Sequence, residues 1–212
     1  MSRDGIWWVL IPLLAALTAT TTGYLSGATW LYLLAIGLFL LAGFMAYFFR
    51  DPHRVVPEDE DVVVSPADGR VTRVQAVSDG EPQSPNVISI FLSPLDVHVN
   101  RAPIAGEIID LAYTKGKFMM ATRDEASLVN EQNALTIRGR KMTIVCKQIA
   151  GVLARRIVCW KSVGDRVALG ERFGLIKFSS RTDLILPASV EITVRIGDRV
   201  RGGVSVVGRI RQ

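Results

Sequence analysis

Apolar residues are not spread evenly along this chain. From Gly5 to Phe49 there is no Asp, Glu, Lys or Arg, whereas charges recur throughout the remainder. One bilayer crossing takes about 20 apolar residues, so the uncharged run has room for two. It predicts a helix near Ile6–Leu25, a turn at Ser26 and Gly27, and a second helix near Thr29–Phe49. Trp7, Trp8, Trp30 and Tyr47 fall near the proposed ends, where amphipathic rings favour the headgroup level. The polar run Thr18–Thr22 leaves open a first helix that is shorter or that lies in the interface. A secretory signal peptide also starts basic and continues apolar, but the second apolar stretch argues against one. Arg3 precedes the hairpin and Arg50 and Arg54 follow it, so the positive-inside rule puts both ends in the cytoplasm.

After Arg50 the pattern becomes short runs of Val, Ile, Leu and Thr between Gly, Pro, Asp and Asn, which reads as strands and turns. Strands are expected at Arg70–Val77, Val87–Leu92, Glu107–Tyr113, Ala134–Arg138 and Met142–Ile149. Further strands are expected at Val152–Val158, Arg172–Phe178, Val190–Arg195 and Val204–Ile210. Thr122 with Glu125 makes a capping-box pattern and predicts one short helix. Gly164-Asp-Arg-Val167 recurs as Gly197-Asp-Arg-Val200, and Ser65-Pro-Ala-Asp-Gly69 is echoed by Ala102-Pro-Ile-Ala-Gly106. The expectation is a mainly β domain over 51–212, a pseudo-symmetric barrel or sandwich of short strands with biotinyl/lipoyl-like hairpins, behind a transmembrane helical hairpin over 1–50.

The net charge of +5 suits a domain tethered to an anionic leaflet. No aromatic-plus-basic stacking pattern points to nucleic acid. Two cysteines and two histidines do not make a structural zinc site. Cys146 and Cys159 lie in apolar runs and read as buried free thiols in a reducing compartment. Lys115, Lys117, Phe118, Met119 and Met120 combine cations with flexible apolar side chains. That composition suits a lip dipping toward lipid and equally a loop closing on the core.

Four segments, in order, carry a resemblance. They are Phe48-Phe-Arg-Asp-Pro52, Ser65-Pro-Ala-Asp-Gly69, Leu92-Ser-Pro-Leu-Asp-Val-His98-Val-Asn-Arg-Ala-Pro103 and Arg172-Phe-Gly-Leu-Ile-Lys-Phe-Ser-Ser180-Arg-Thr-Asp-Leu-Ile-Leu-Pro187. Together they resemble the phosphatidylserine decarboxylase proenzymes in their short bacterial and archaeal form. The resemblance implies self-cleavage ahead of Ser180, through an ester made by its hydroxyl, and conversion of Ser180 to a covalent pyruvoyl group. That group would condense with the amine of an aminophospholipid, phosphatidylserine or an ether-lipid counterpart, and accept the electrons released with carbon dioxide. His98 is implied as general base for Ser180, with Asp68 as its acidic partner. Arg101 stands where longer relatives carry a second histidine, and as a permanent cation it suits the substrate phosphate or carboxylate.

The chain departs from the family at the bond itself, with Ser179 in place of glycine. The attacked carbonyl is still present, but glycine permits backbone geometries that serine resists. The implied partners are membrane lipid, the aminophospholipid and the two chains of one precursor, with the oligomeric state open and a homodimer among the options. The implied location is the cell membrane, catalytic domain on the cytoplasmic face. Two other functions remain open from the residues alone: a membrane-anchored biotinyl/lipoyl-like adaptor, and a decarboxylase homologue that does not mature.

Overall fold

The structure is a computed structural model that describes residues 1–59, 61–77, 84–121, 123, 125–152, 156–177 and 180–210. The chain divides into two compact units, Met1–Pro52 and His53–Gln212. In the first, α1 (Ile6–Ser26) and α2 (Trp30–Phe48) are joined at Gly27, whose φ of 71° is a conformation that glycine enters without strain. Ala16, Ala19 and Gly23 of α1 and Leu31, Ala35 and Ala42 of α2 are buried, so small side chains let the helices approach closely. Ile11, Leu33 and Phe39 point outward. The hydroxyls of Thr18, Thr20 and Thr21 each donate to a carbonyl one turn back at 2.9 Å, so three of the four threonines in the polar run are satisfied inside the helix. Both helices are long and apolar enough to cross a membrane.

The second unit is built from short strands. Its first half runs β1 (Val62–Val64), β2 (Gly69–Ala76), β3 (Asn86–Leu92), β4 (Val99–Arg101), β5 (Gly106–Thr114), the short helix α3 (Ala126–Val129), β6 (Gln132–Arg138) and β7 (Thr143–Ala150). The second half runs β8 (Arg156–Cys159), β9 (Arg166–Val167), β10 (Arg172–Lys177), β11 (Ser180–Leu186), β12 (Val190–Ile192), β13 (Arg199–Val200) and β14 (Val206–Ile210). Five of these were not expected from the sequence: β1, β4, β9, β11 and β13. The expected capping residue Thr122 lies outside the described residues.

Among the described residues the strands form a curled 8-stranded sheet, ordered β13-β2-β3-β11-β7-β6-β5-β9, and two 3-stranded sheets, β1-β14-β12 and β4-β10-β8. Every pairing is antiparallel. The long sheet reads the same from either end once β2 is matched with β5, β3 with β6, β11 with β7 and β13 with β9. The small sheets then match as β1 with β4, β14 with β10 and β12 with β8. The segment β4–β10 is thus a strand-for-strand repeat of β1–β3 continued by β11–β14, inserted between β3 and β11. Registers agree in detail. β2–β3 shifts between Val71 and Arg73, and β5–β6 at the matching place between Ile108 and Asp110. β1–β14 shifts between Val63 and Val64, and β4–β10 between Gly174 and Arg172.

The echo in the sequence follows this repeat. Gly197 N–H donates to Val71 O and Gly164 N–H to Ile108 O, both at 2.8 Å. Gly69 and Gly106 open matching strands against matching carbonyls. An added Cβ would lie 2.1 Å from Phe91 O and 2.4 Å from Arg138 O respectively, so only glycine fits. One apolar core joins both repeats, running through Val71, Ile90 and Leu184 on one side and Ile108, Ile137 and Cys146 on the other.

Candidate active site

The chain crosses between the repeats twice, in the segment after β3 and at the step from β10 to β11, and His98 and Ser180 lie at those two crossings. Ser180 opens β11, paired with Leu92 of β3 and Ala150 of β7. It is 0% exposed, and its Oγ has no hydrogen-bond partner among the described residues. Ser179 lies outside the described residues.

His98 follows a turn fastened by Asp96, whose Oδ2 accepts from the Ser93 N–H at 2.8 Å and the Ser93 hydroxyl at 2.7 Å. His98 is buried, with Nδ1 at 2.9 Å from Asp96 O. A carbonyl only accepts, so in the neutral ring Nδ1 carries the hydrogen and Nε2 is the basic nitrogen. Asp68 sits in the turn before β2. Its Oδ2 accepts from Arg54 Nη2 at 2.7 Å and its Oδ1 from the Gly202 N–H at 2.8 Å. Burial pushes the Asp68 carboxyl above its ordinary value, while Gly202 and Arg54 pull it down. Arg101 is buried and donates from Nη1 to Gly170 O at 3.2 Å. His53 is exposed.

Behind these residues runs a buried line of polar side chains that the sequence reading missed. Asn133 Nδ2 donates to Gln148 Oε1 at 2.9 Å, and Gln148 Nε2 to Asn100 Oδ1 at 2.9 Å. Asn100 Nδ2 in turn faces Thr182 Oγ1 at 3.1 Å and Pro66 O at 3.4 Å. Asn100 and Thr182 stood inside the motif segments, but isolated amides and hydroxyls read as turn or surface residues without a partner in view. On the other face of β11, Arg181 pairs with Asp183 at 2.8 Å and donates to the Ala121 and Arg123 carbonyls. The exposed segment around Phe118 and Met120 is thereby tied to the residue after Ser180. Asn130 clips the same segment, bonding Met119 N and O at 2.9 Å. Cys146 is buried and Cys159 half-buried, both as free thiols.

The repeat supplies a counterpart of this site. His98, Asp68 and Ser180 match Asp61, Ala105 and Met142, and a cavity of about 410 Å³ opens there. Ile210 N–H donates to Asp61 O at 2.9 Å, as Ile176 N–H donates to His98 O at 3.3 Å. Neither a histidine nor a serine stands at the counterpart positions, so the fold alone does not dictate the chemistry.

The sequence profile of phosphatidylserine decarboxylase matches residues 41–208. The chain is 49% identical over 205 residues to a phosphatidylserine decarboxylase proenzyme of Solibacter usitatus, covering 97% of this chain and 94% of the relative. It is 44% identical to that of Carboxydothermus hydrogenoformans over 100% of this chain and 97% of the relative. Against that of the Wolbachia of Brugia malayi it is 37% identical over 100% and 92%.

Proposed function

The chain belongs to the phosphatidylserine decarboxylase family, and from that membership we propose that it is made as a precursor, cuts itself between Ser179 and Ser180, and then decarboxylates phosphatidylserine or an ether-linked counterpart. The observation that carries this is Ser180: a fully buried hydroxyl on a central strand, without a hydrogen-bond partner among the described residues. Burying a hydroxyl without a partner is costly, and positions that bear such a cost are candidates for chemistry.

Ser180 Oγ attacks the Ser179 carbonyl carbon while His98 Nε2 takes its proton. The C–N bond breaks, leaving the Ser179 acyl group on oxygen and a free amine on Ser180. Removal of the Ser180 Cα proton expels the Ser179 carboxylate. One water then releases ammonia and leaves a pyruvoyl group at the head of β11. The orphaned Ser180 hydroxyl fits this conversion, and the pyruvoyl carbonyl supplies an electron sink when carbon dioxide leaves. Asp68 serves as the acidic partner of His98 through its charge and not by orienting the ring, whose Nδ1 is already held by Asp96 O, and Arg101 is the cation for the substrate phosphate or carboxylate. The α1–α2 hairpin anchors the enzyme in the cell membrane with both ends cytoplasmic, supported by the cationic flanks Arg3, Arg50 and Arg54. The exposed Phe118, Met120 and Leu128, with Lys115 and Lys117 beside them in sequence, suit a lip that meets the lipid surface. The matched Gly-Asp turns before β9 and β13, each leading into a strand that pairs across the domain, support a biotinyl/lipoyl-like description.

Electrophoresis of the purified protein tests the proposal. The natural chain should give two fragments and Ser180→Ala a single one inactive on phosphatidylserine. A Ser180→Ala protein that still cleaves would overturn it.

A further inference from the structure

The two repeats provide an internal control for what the site requires beyond folding. Matched by strand register, Asn100 corresponds to Val63, Gln148 to Leu186 and Thr182 to Ile144. All six are essentially fully buried: Asn100, Gln148, Thr182, Val63 and Leu186 at 0% and Ile144 at 1%. One fold therefore buries an apolar trio at one crossing and a hydrogen-bonded polar trio at the other. Since the apolar trio packs adequately, the polar one is not needed to build the domain. Polar groups in a core cost stability unless every one is satisfied, and their usual return is a fixed geometry.

Asn100 is placed to fix that geometry. It lies two residues after His98 on β4. Its Nδ2 reaches Pro66 O, two residues before Asp68, and Thr182 Oγ1, two residues after Ser180 on the same face of β11. Its Oδ1 is held by Gln148, itself held by Asn133, so the amide cannot flip without losing a bond. We infer that Asn100 is a positioning residue for self-cleavage: through Pro66 and Thr182 it holds the segments bearing Asp68, His98 and Ser180 in the register that the acyl shift needs. Its side-chain bonds to described residues go to Pro66, Thr182 and Gln148, none of which reacts. This inference rests on the self-cleavage reading above.

The test follows precursor cleavage over time in the full-length chain, with folding checked by thermal melting in a Ser180→Ala background. Asn100→Val, which installs the counterpart residue, should melt no more than a few degrees below its parent yet cleave at least tenfold more slowly. Thr182→Val, nearly isosteric, should slow cleavage similarly. The double variant should be little slower than either single one, because both remove the same bond. Thr182→Ser, which restores the hydroxyl while losing the methyl, should recover most of the rate lost in Thr182→Val; a role in packing alone would give the opposite order. Hydroxylamine, which splits the ester formed by the acyl shift, should release less fragment from Asn100→Val than from the natural precursor, placing the defect before elimination. If the natural chain cleaves and Asn100→Val keeps pace with it, the inference is overturned and the self-cleavage reading stands. If the natural chain itself stays whole, that reading falls and takes this inference with it.

Discussion

Asp68 sits where desolvation and two donors pull its proton affinity in opposite directions. Desolvation wins, so the folded carboxyl titrates above the ordinary value of 3.8. The sign follows: the folded state holds this proton more tightly than the unfolded one, so the stability Asp68 contributes is present in acid and declines as pH rises through its folded value. Arg54→Leu removes the cation that opposes the rise. The variant should lose about 2 kcal/mol near neutral pH, and progressively less as pH falls and Asp68 takes up its proton. Melting curves across pH check this, and a deficit that grows toward acid would contradict it. Removal of a positioned base typically costs about 10²–10⁴-fold, so if His98 has the role proposed for it, His98→Ala should accumulate precursor for hours. Fragment appearance in a time course reads this directly. If His98→Ala cleaves on time but fails to turn over lipid, the imidazole serves the second reaction and not the first. The proposed site residues Ser180, His98 and Asp68 could be picked out because each stands in a motif segment. Arg54 could not, because nothing in a juxtamembrane arginine announces a carboxylate partner at 2.7 Å.

Among the elements, β11 shows most clearly where reading by pattern stops. It is central in the long sheet, yet it begins Ser-Arg-Thr-Asp, a composition typical of turns. The strand forms because Arg181 and Asp183 neutralise each other on one face, while Thr182 is met by Asn100 on the other. The Asn100–Thr182 bond is a tertiary partnership that no window of sequence displays, and the Arg181–Asp183 pair, though only two residues apart, balances charge only once the strand puts both side chains on one face. β1, β4, β9 and β13 were missed for another reason, being too short to show alternation. Where the signal was local it held: apolar alternation marked β2, β3, β6 and β7 to within about two residues. The Gly-Asp echo likewise marked the matched turns before β9 and β13. Gly69 is the element-scale test. Gly69→Ala drives a Cβ into Phe91 O and should cost roughly 3 kcal/mol, lowering the melting temperature by about 6–12 °C. An unchanged melting temperature would show that the strand opening relaxes freely.

At the scale of the whole molecule, a membrane-type hairpin and a duplicated β domain are joined in one chain, and the domain holds its own core. A chain lacking the residues before Arg50 should therefore fold and melt cooperatively while losing stable membrane association, as sedimentation with vesicles would report. Failure of that fragment to fold would show that the hairpin is part of the domain's stability. The inserted-repeat topology was only hinted at by the sequence echo, because matched strands share register and burial far more than residue identity. Functionally, the duplication gives two equivalent crossings of which one carries Ser180 and His98, and the proposed cut falls where the inserted repeat hands the chain back to its host. Intact-mass measurement of the purified full-length protein tests that most directly. Two chains should appear, divided between Ser179 and Ser180, the smaller one lighter by the mass of one ammonia than the same peptide beginning with serine. A single chain of full precursor mass, or a small chain that retains its N-terminal serine, would contradict it.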